Sequence, residues 1–178
     1  MTHESIINDY PELIEVIDII DESFLEHYNK NESLVANLYR YAHDVMKQRW
    51  FESEPYIMKN PRWAYYYAYI IIEDKWSEAE PIIMKDPCYA YYYARDVMKQ
   101  RWFEAESTIM KDAEWAYYYA CDIKGRWPEA EPYIMKDEFW AYTYARDVIK
   151  GRWPEAEPYI IQNAKWAYLY AHFGFCII

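Results

Sequence analysis

Apolar residues return along this chain in two alternating rhythms. In "DPCYAYYYARDVMKQRW", Ala90, Tyr93, Ala94 and Val97 fall at i, i+3, i+4 and i+7, one face of a helix. Asp86 is a good N-cap before it, and Pro87 fits the first helical position, where a missing N–H costs nothing. Asn60–Pro61 repeats the device one period earlier, and Asp112, Asp137 and Asn163 supply the cap without the proline. Gly125 and Gly151 stand where a helix takes a left-handed residue at its end. A second rhythm follows in "KGRWPEAEPYIMKD": Trp127, Ala130 and Ile134 keep helical spacing. Pro128 and Pro154 open this helix, the glutamates that follow favour its positive end, and Lys136 closes it. Pro132 and Pro158 lie farther in and predict a short, kinked second helix.

The helix pair recurs. Trp50, Trp76, Trp102, Trp127 and Trp153 are 26, 26, 25 and 26 residues apart. Ala64, Ala90, Ala116, Ala141 and Ala167 keep the same step, and the short interval comes from "ACDIKGRW" against "ARDVIKGRW". A helix of roughly 13 residues paired with one of roughly 9 cannot bury its face alone. Stacked copies can, so the expected fold is all-α: an α-solenoid, a right-handed superhelix of two-helix repeats. Spacing of about 8–10 Å between packed helices gives a rod or arc about 60 Å long.

The repeats run 37–62, 63–88, 89–114, 115–139 and 140–165. Residues 1–36 form the expected N-terminal capping region. Within it, 11–36 is a degenerate copy in which Asp18, Ile19 and Phe24 precede Asp44, Val45 and Trp50 by one period. Residues 166–178 are a C-terminal half-repeat cap. The five tryptophans and five alanines above are the expected core. Trp63 and its equivalents are expected to wedge between copies. Tyr39, Tyr65, Tyr91, Tyr117, Tyr142 and Tyr168 are expected to pack between successive helices, with hydroxyls reaching water or a partner.

Charge narrows the partners. A net charge of −11 argues against direct nucleic-acid binding through phosphates and against an anionic membrane surface. It suits a basic protein partner. Three cysteines, Cys88, Cys121 and Cys176, form no close pair and no CxxC, which points to a reducing compartment. The first ten residues lack a signal peptide's pattern, and no apolar run reaches the roughly 18 residues of a membrane span. The expected location is cytoplasmic, that of the host cell for a viral protein.

A catalytic constellation occurs once, whereas every cluster here recurs. The Glu pairs (Glu52/Glu54, Glu78/Glu80, Glu104/Glu106, Glu129/Glu131, Glu155/Glu157) resemble paired carboxylates, but residues two apart on a helix point different ways. Their bland reading is dipole complement; their functional reading is an acidic ladder. Tyr66, Tyr92 and Tyr118 give way to Thr143 and Leu169 in later copies, which suggests exposure and an interface. The expected partner-binding residues are therefore Tyr66, Tyr92, Tyr118, Glu78, Glu80, Glu104, Glu106, Glu129 and Glu131.

Arg95/Asp96 and Arg146/Asp147 are expected to pair between copies. His3, His27, His43 and His172 show no metal spacing, and three glycines leave no phosphate loop. No catalytic residue, metal or cofactor is expected. Cys121 reads as a small buried filler before a reactive thiol. Departures from the consensus, "YIIIEDK" from Tyr69 and "ESTIM" from Glu106, mark places for curvature or contact.

The plan resembles α-solenoid proteins of the tetratricopeptide, HEAT and Sel1-like kind, without their signatures. "ARDVIKGRWPEAEPYIMKD" looks like short Trp/Tyr-rich helical repeats of bacterial and bacteriophage proteins, over roughly residues 37–171. That resemblance implies a fold and carries no site residue across. The functional expectation is a non-enzymatic scaffold that binds a protein partner through an acidic, tyrosine-rich surface. The alternative is a phage inhibitor that imitates nucleic-acid phosphates or sequesters a host factor or small-molecule signal.

Overall fold

The computed structural model describes residues 6 and 8–173. The regular elements among the described residues are all helical, with no strand, and successive helices pack in repeating pairs. The chain divides into two compact units, Met1–Ile83 and Met84–Ile178.

The second unit shows the repeat most regularly. Asp86 caps the helix Pro87–Tyr92 by accepting hydrogen bonds from Cys88 N (3.0 Å) and Tyr89 N (3.2 Å). Asp112 and Asp137 do the same for Ala113–Tyr119 and Glu138–Tyr144. The expected single α-helix then widens. Tyr93–Met98, Ala120–Lys124 and Ala145–Ile149 are π-helical turns. Their bonds span five residues: Gly125 N donates to Ala120 O at 2.8 Å. Such a turn takes up one more residue than an α-turn.

The helix ends differ from expectation. The left-handed residues are Lys99 (φ 54) and Lys150 (φ 55), so Gly151 is not the one in that region. Gly125 is the exception, at φ 80 and ψ −157. The deletion in this copy explains it. Counted from the helix, Gly125 stands where Lys99 stands in the preceding copy, and it alone must turn the chain. That combination of angles is open essentially only to glycine. Gly125→Ala is therefore expected to lower stability by about 1–2 kcal/mol, although a Cβ there meets nothing within 4 Å. Gly151→Ala should be close to neutral; equal losses in urea melts of both would contradict this reading.

The second helix is not kinked. Pro128–Ala130 forms a turn, and the helix itself is Glu131–Ile134, with Pro132 in its first turn. Proline has no N–H to bond back to residue 128, so it can only begin the helix. Glu157–Ile160 repeats this with Pro158. Where Ser107 replaces the proline, one helix runs unbroken over Phe103–Ile109.

The core is a ladder of rings and small residues. Trp102, Trp127 and Trp153 are 1–2% exposed, and Ala90, Ala116, Ala141, Tyr93, Tyr119, Tyr144 and Tyr170 are fully buried. Tyr93, Tyr119 and Tyr144 pack on the tryptophans of their own copies, Trp102 at 5.1 Å, Trp127 at 5.1 Å and Trp153 at 5.2 Å. The hydroxyls of Tyr119, Tyr144 and Tyr170 reach back one copy. The Trp102 N–H donates to Tyr119 Oη at 2.8 Å, Trp127 N–H to Tyr144 Oη at 2.6 Å, and Trp153 N–H to Tyr170 Oη at 2.6 Å. These hydroxyls donate onward to Glu106, Glu131 and Glu157.

The first unit uses the same devices. Ser33 caps Leu34–Arg40 and Asn60 caps Pro61–Tyr66; π-helical turns Tyr41–Met46 and Tyr67–Ile72 follow. Lys47 (φ 53) and Glu73 (φ 57) are left-handed. Trp50 and Trp76 are buried, as is Ala64, and Trp50 N–H donates to Tyr67 Oη at 2.7 Å. Residues 11–36 take a local form of their own: a 3₁₀ turn Pro11–Val16 and a helix Glu22–His27. Phe24 is 1% exposed against Tyr41 and Trp50. At the far end of the second unit Ala164–His172 is a plain α-helix. On it Ala167 is only half-buried, unlike its equivalents.

Candidate functional site

Consecutive residues on a helix point about 100° apart, so "AYYYA" distributes its rings over three directions. The third tyrosine is the buried latch described above. The first, Tyr91 or Tyr142, is 2% exposed. Its hydroxyl, expected to reach water or a partner, instead stays within the protein: Tyr91 Oη donates to Asp122 and Tyr117 Oη to Asp147 (2.7 Å), in each case in the next copy. Arg95 chelates its neighbour Asp96 (2.6 and 2.9 Å), and Arg146 chelates Asp147 (2.6 and 2.6 Å). The Arg–Asp pairs expected between copies thus lie within one copy, and tyrosine carries the link across.

The second tyrosine borders the open face. Helix Pro87–Tyr92 and its π-turn bring up Tyr91, Tyr92 and Arg95; helix Ala113–Tyr119 brings up Glu114, Trp115 and Tyr118. Together they line a cleft of about 270 Å³. Ring centroids step along it: Tyr92 to Trp115 at 5.5 Å, Trp115 to Tyr118 at 5.8 Å, Tyr118 to Trp140 at 5.6 Å. Arg95 closes one end, 5.0 Å from the Tyr91 centroid and 4.8 Å from that of Tyr92. Tyr92, Trp115 and Tyr118 are half-buried. Tyr66 holds the same place in the first unit, against Trp63 at 6.2 Å.

The acidic ladder is half of what the sequence suggests. Glu78, Glu104 and Glu129 are exposed, but Glu106 and Glu80 are half-buried, and Glu131 is 8% exposed. Glu106 is held by Arg101 at 2.9 and 3.0 Å and by Lys124 at 3.3 Å; Glu131 is held by Arg126 at 2.8 and 3.3 Å. Arg49–Glu54 and Arg152–Glu157 repeat the fork. Glu106 and Glu131 are therefore structural anchors and not part of an outward face. Burial alone would raise the Glu106 carboxyl, but Arg101 and Lys124 pull it below the ordinary range. Its ion pairs stabilise the fold above pH about 4.5 and are lost as pH falls through its lowered value.

The alkaline limit comes from the latch. Burial pushes Tyr67 and Tyr119 up to about 12 from an ordinary 10.0. The folded state keeps protons that the unfolded chain releases, so stability should hold below pH 10 and fall between pH 10 and about 12. Thermal melts across that range check this; a midpoint unchanged to pH about 12 would contradict it.

Cys121 takes the place of Arg95 one copy on and is exposed, not a buried filler; Cys88 is half-buried. Cys176 and His3 lie outside the described residues. His43 stacks on Tyr39 at 5.8 Å and His172 on Tyr168 at 4.2 Å. His27 meets the Ser23 carbonyl at 2.7 Å. Among the described residues no three His, Cys, Asp or Glu are placed to hold a metal ion. No helix among them is long and apolar enough to cross a membrane. No family model, curated protein or solved structure matches the chain.

Proposed function

We propose that this protein is a non-enzymatic binding scaffold, an α-solenoid of right-handed hand whose ring-lined face docks a protein partner. One observation carries the reading. The repeat spends its third tyrosine and its second glutamate internally, on Trp amides and arginines, yet keeps Tyr92, Trp115 and Tyr118 as a continuous half-exposed surface. Rigid aromatic rings bring large contact area at low entropy cost. Recurrent capping and latching supply the stiffness that such docking uses.

Mimicry of nucleic-acid phosphates draws less support, because Glu54, Glu106, Glu131 and Glu157 of the ladder are each bound by an arginine. The experiment is affinity capture from the native cell with wild type and Tyr118→Ala side by side. The reading expects a partner retained by wild type, surviving about 0.5 M salt, and lost from Tyr118→Ala. A partner held equally by both, or released by salt alone, would overturn it.

A further inference from the structure

One position differs between copies in a way that bears on the cleft. The residue before each first-helix ring is Arg62, Cys88, Glu114, Phe139 and Lys165 in turn. Arg62 lies over Trp63 at 4.9 Å, and Lys165 lies over Trp166 at 4.3 Å. Phe139 packs on Trp140 at 4.6 Å. In these copies the preceding residue itself lies on the indole, as a cation or a ring, whereas Trp115 is flanked by Tyr91, Tyr92 and Tyr118. At Trp115 the preceding residue is Glu114, and among the described residues no Lys or Arg lies over this indole. Among the described residues the Glu114 carboxylate makes no hydrogen bond or ion pair; only its backbone N–H is engaged, by the Asp112 cap.

We propose that the Trp115 cleft is a receptor for one cationic side chain of a protein partner, an alkylammonium above all. The proposal rests on the scaffold reading and names the chemistry its surface selects. Cations favour the negative face of an aromatic ring, Trp best, and gain when the site is partly dry. Trp115 and Tyr118 offer two such rings around about 270 Å³, while Tyr92 beside them already carries the Arg95 guanidinium. Glu114 supplies a negative charge at the wall, without a direct ion pair among the described residues. Arg95 does not cancel it, because Asp96 chelates that guanidinium and Asp122 accepts from the Tyr91 hydroxyl beside it. Arg62 and Lys165 show inside the molecule the geometry that the ligand would adopt.

The test uses the full chain labelled with 5-fluorotryptophan, which gives one fluorine signal for each of its 9 tryptophans. Trp115→Phe assigns the relevant signal. Titration with n-butylammonium chloride should shift the Trp115 signal saturably, with a dissociation constant on the order of millimolar. Butanol and butyrate should not. Glu114→Gln should weaken binding about five-fold. Glu114→Lys, which places the protein's own cation where Lys165 has one, should abolish it while the remaining tryptophan signals report an intact fold.

A Trp115 signal that never saturates, or that responds equally in Glu114→Lys, would overturn the proposal. That failure removes the cation pocket alone; the scaffold reading stands or falls on the Tyr118→Ala capture.

Discussion

Replacing Trp127 by alanine is expected to lower stability by about 3–5 kcal/mol, the largest effect of any single change proposed for this protein. Its indole is 1% exposed. Tyr119 packs on one side at 5.1 Å and the Lys124 ammonium lies 5.3 Å from the ring. Its backbone carbonyl starts the next turn by accepting from Ala130 N at 3.0 Å. Truncation leaves a void between elements too short to close it, because Pro132 holds the adjoining helix to Glu131–Ile134. Urea unfolding measures the loss. Trp166→Ala is the contrast: that ring is half-buried on the last described helix, and its removal should cost well under half as much. Equal costs would mean that the periodic tryptophans are not the core.

Tyr144→Phe should be the second largest, at about 2–3 kcal/mol, although it deletes a single oxygen. The ring stays packed on Trp153. What goes is the acceptor for Trp127 N–H at 2.6 Å and a donor to the nearly buried Glu131. An N–H sealed from water without a partner is more costly than the net worth of the bond it lost. The same change at Tyr168, 61% exposed, should be within about 0.5 kcal/mol of wild type. Combined with Glu131→Gln, Tyr144→Phe should be less than additive, since both act on one network. A Tyr144→Phe melt matching wild type would show that solvent reaches the Trp127 amide.

Much of the frame is legible in the residues. The caps Asp86, Asp112 and Asp137 announce each helix, because an Asp before a periodic apolar face has one strong local role. The Trp step and the small alanines mark the buried stripe. What is not legible depends on chain direction outside regular helices. Arg101 and Glu106 are five apart, a spacing that does not bring side chains together on a helix; they meet because the intervening chain leaves helical geometry at Trp102, where ψ is 86. Lys99 and Lys150 take left-handed backbone that local rules reserve for glycine, so Gly151 was the natural expectation. Tyrosine is ambiguous from sequence: its ring predicts burial, but nothing local says that one hydroxyl meets a Trp amide and its neighbour's an aspartate one copy on. The lone glutamate at 114 is visible in the sequence, yet its meaning needs Arg62 and Lys165 seen over their indoles.

The claim at the centre is that the hydroxyls of Tyr119, Tyr144 and Tyr170 lock the amides of Trp102, Trp127 and Trp153, each one copy back. Native-state amide exchange of Trp102, Trp127 and Trp153 tests it most directly, since these N–H groups have Tyr hydroxyls as their partners. They should exchange as slowly as the helical core, and Tyr144→Phe should release Trp127 while Trp102 and Trp153 stay protected. Fast exchange at all three in the wild type would contradict the account.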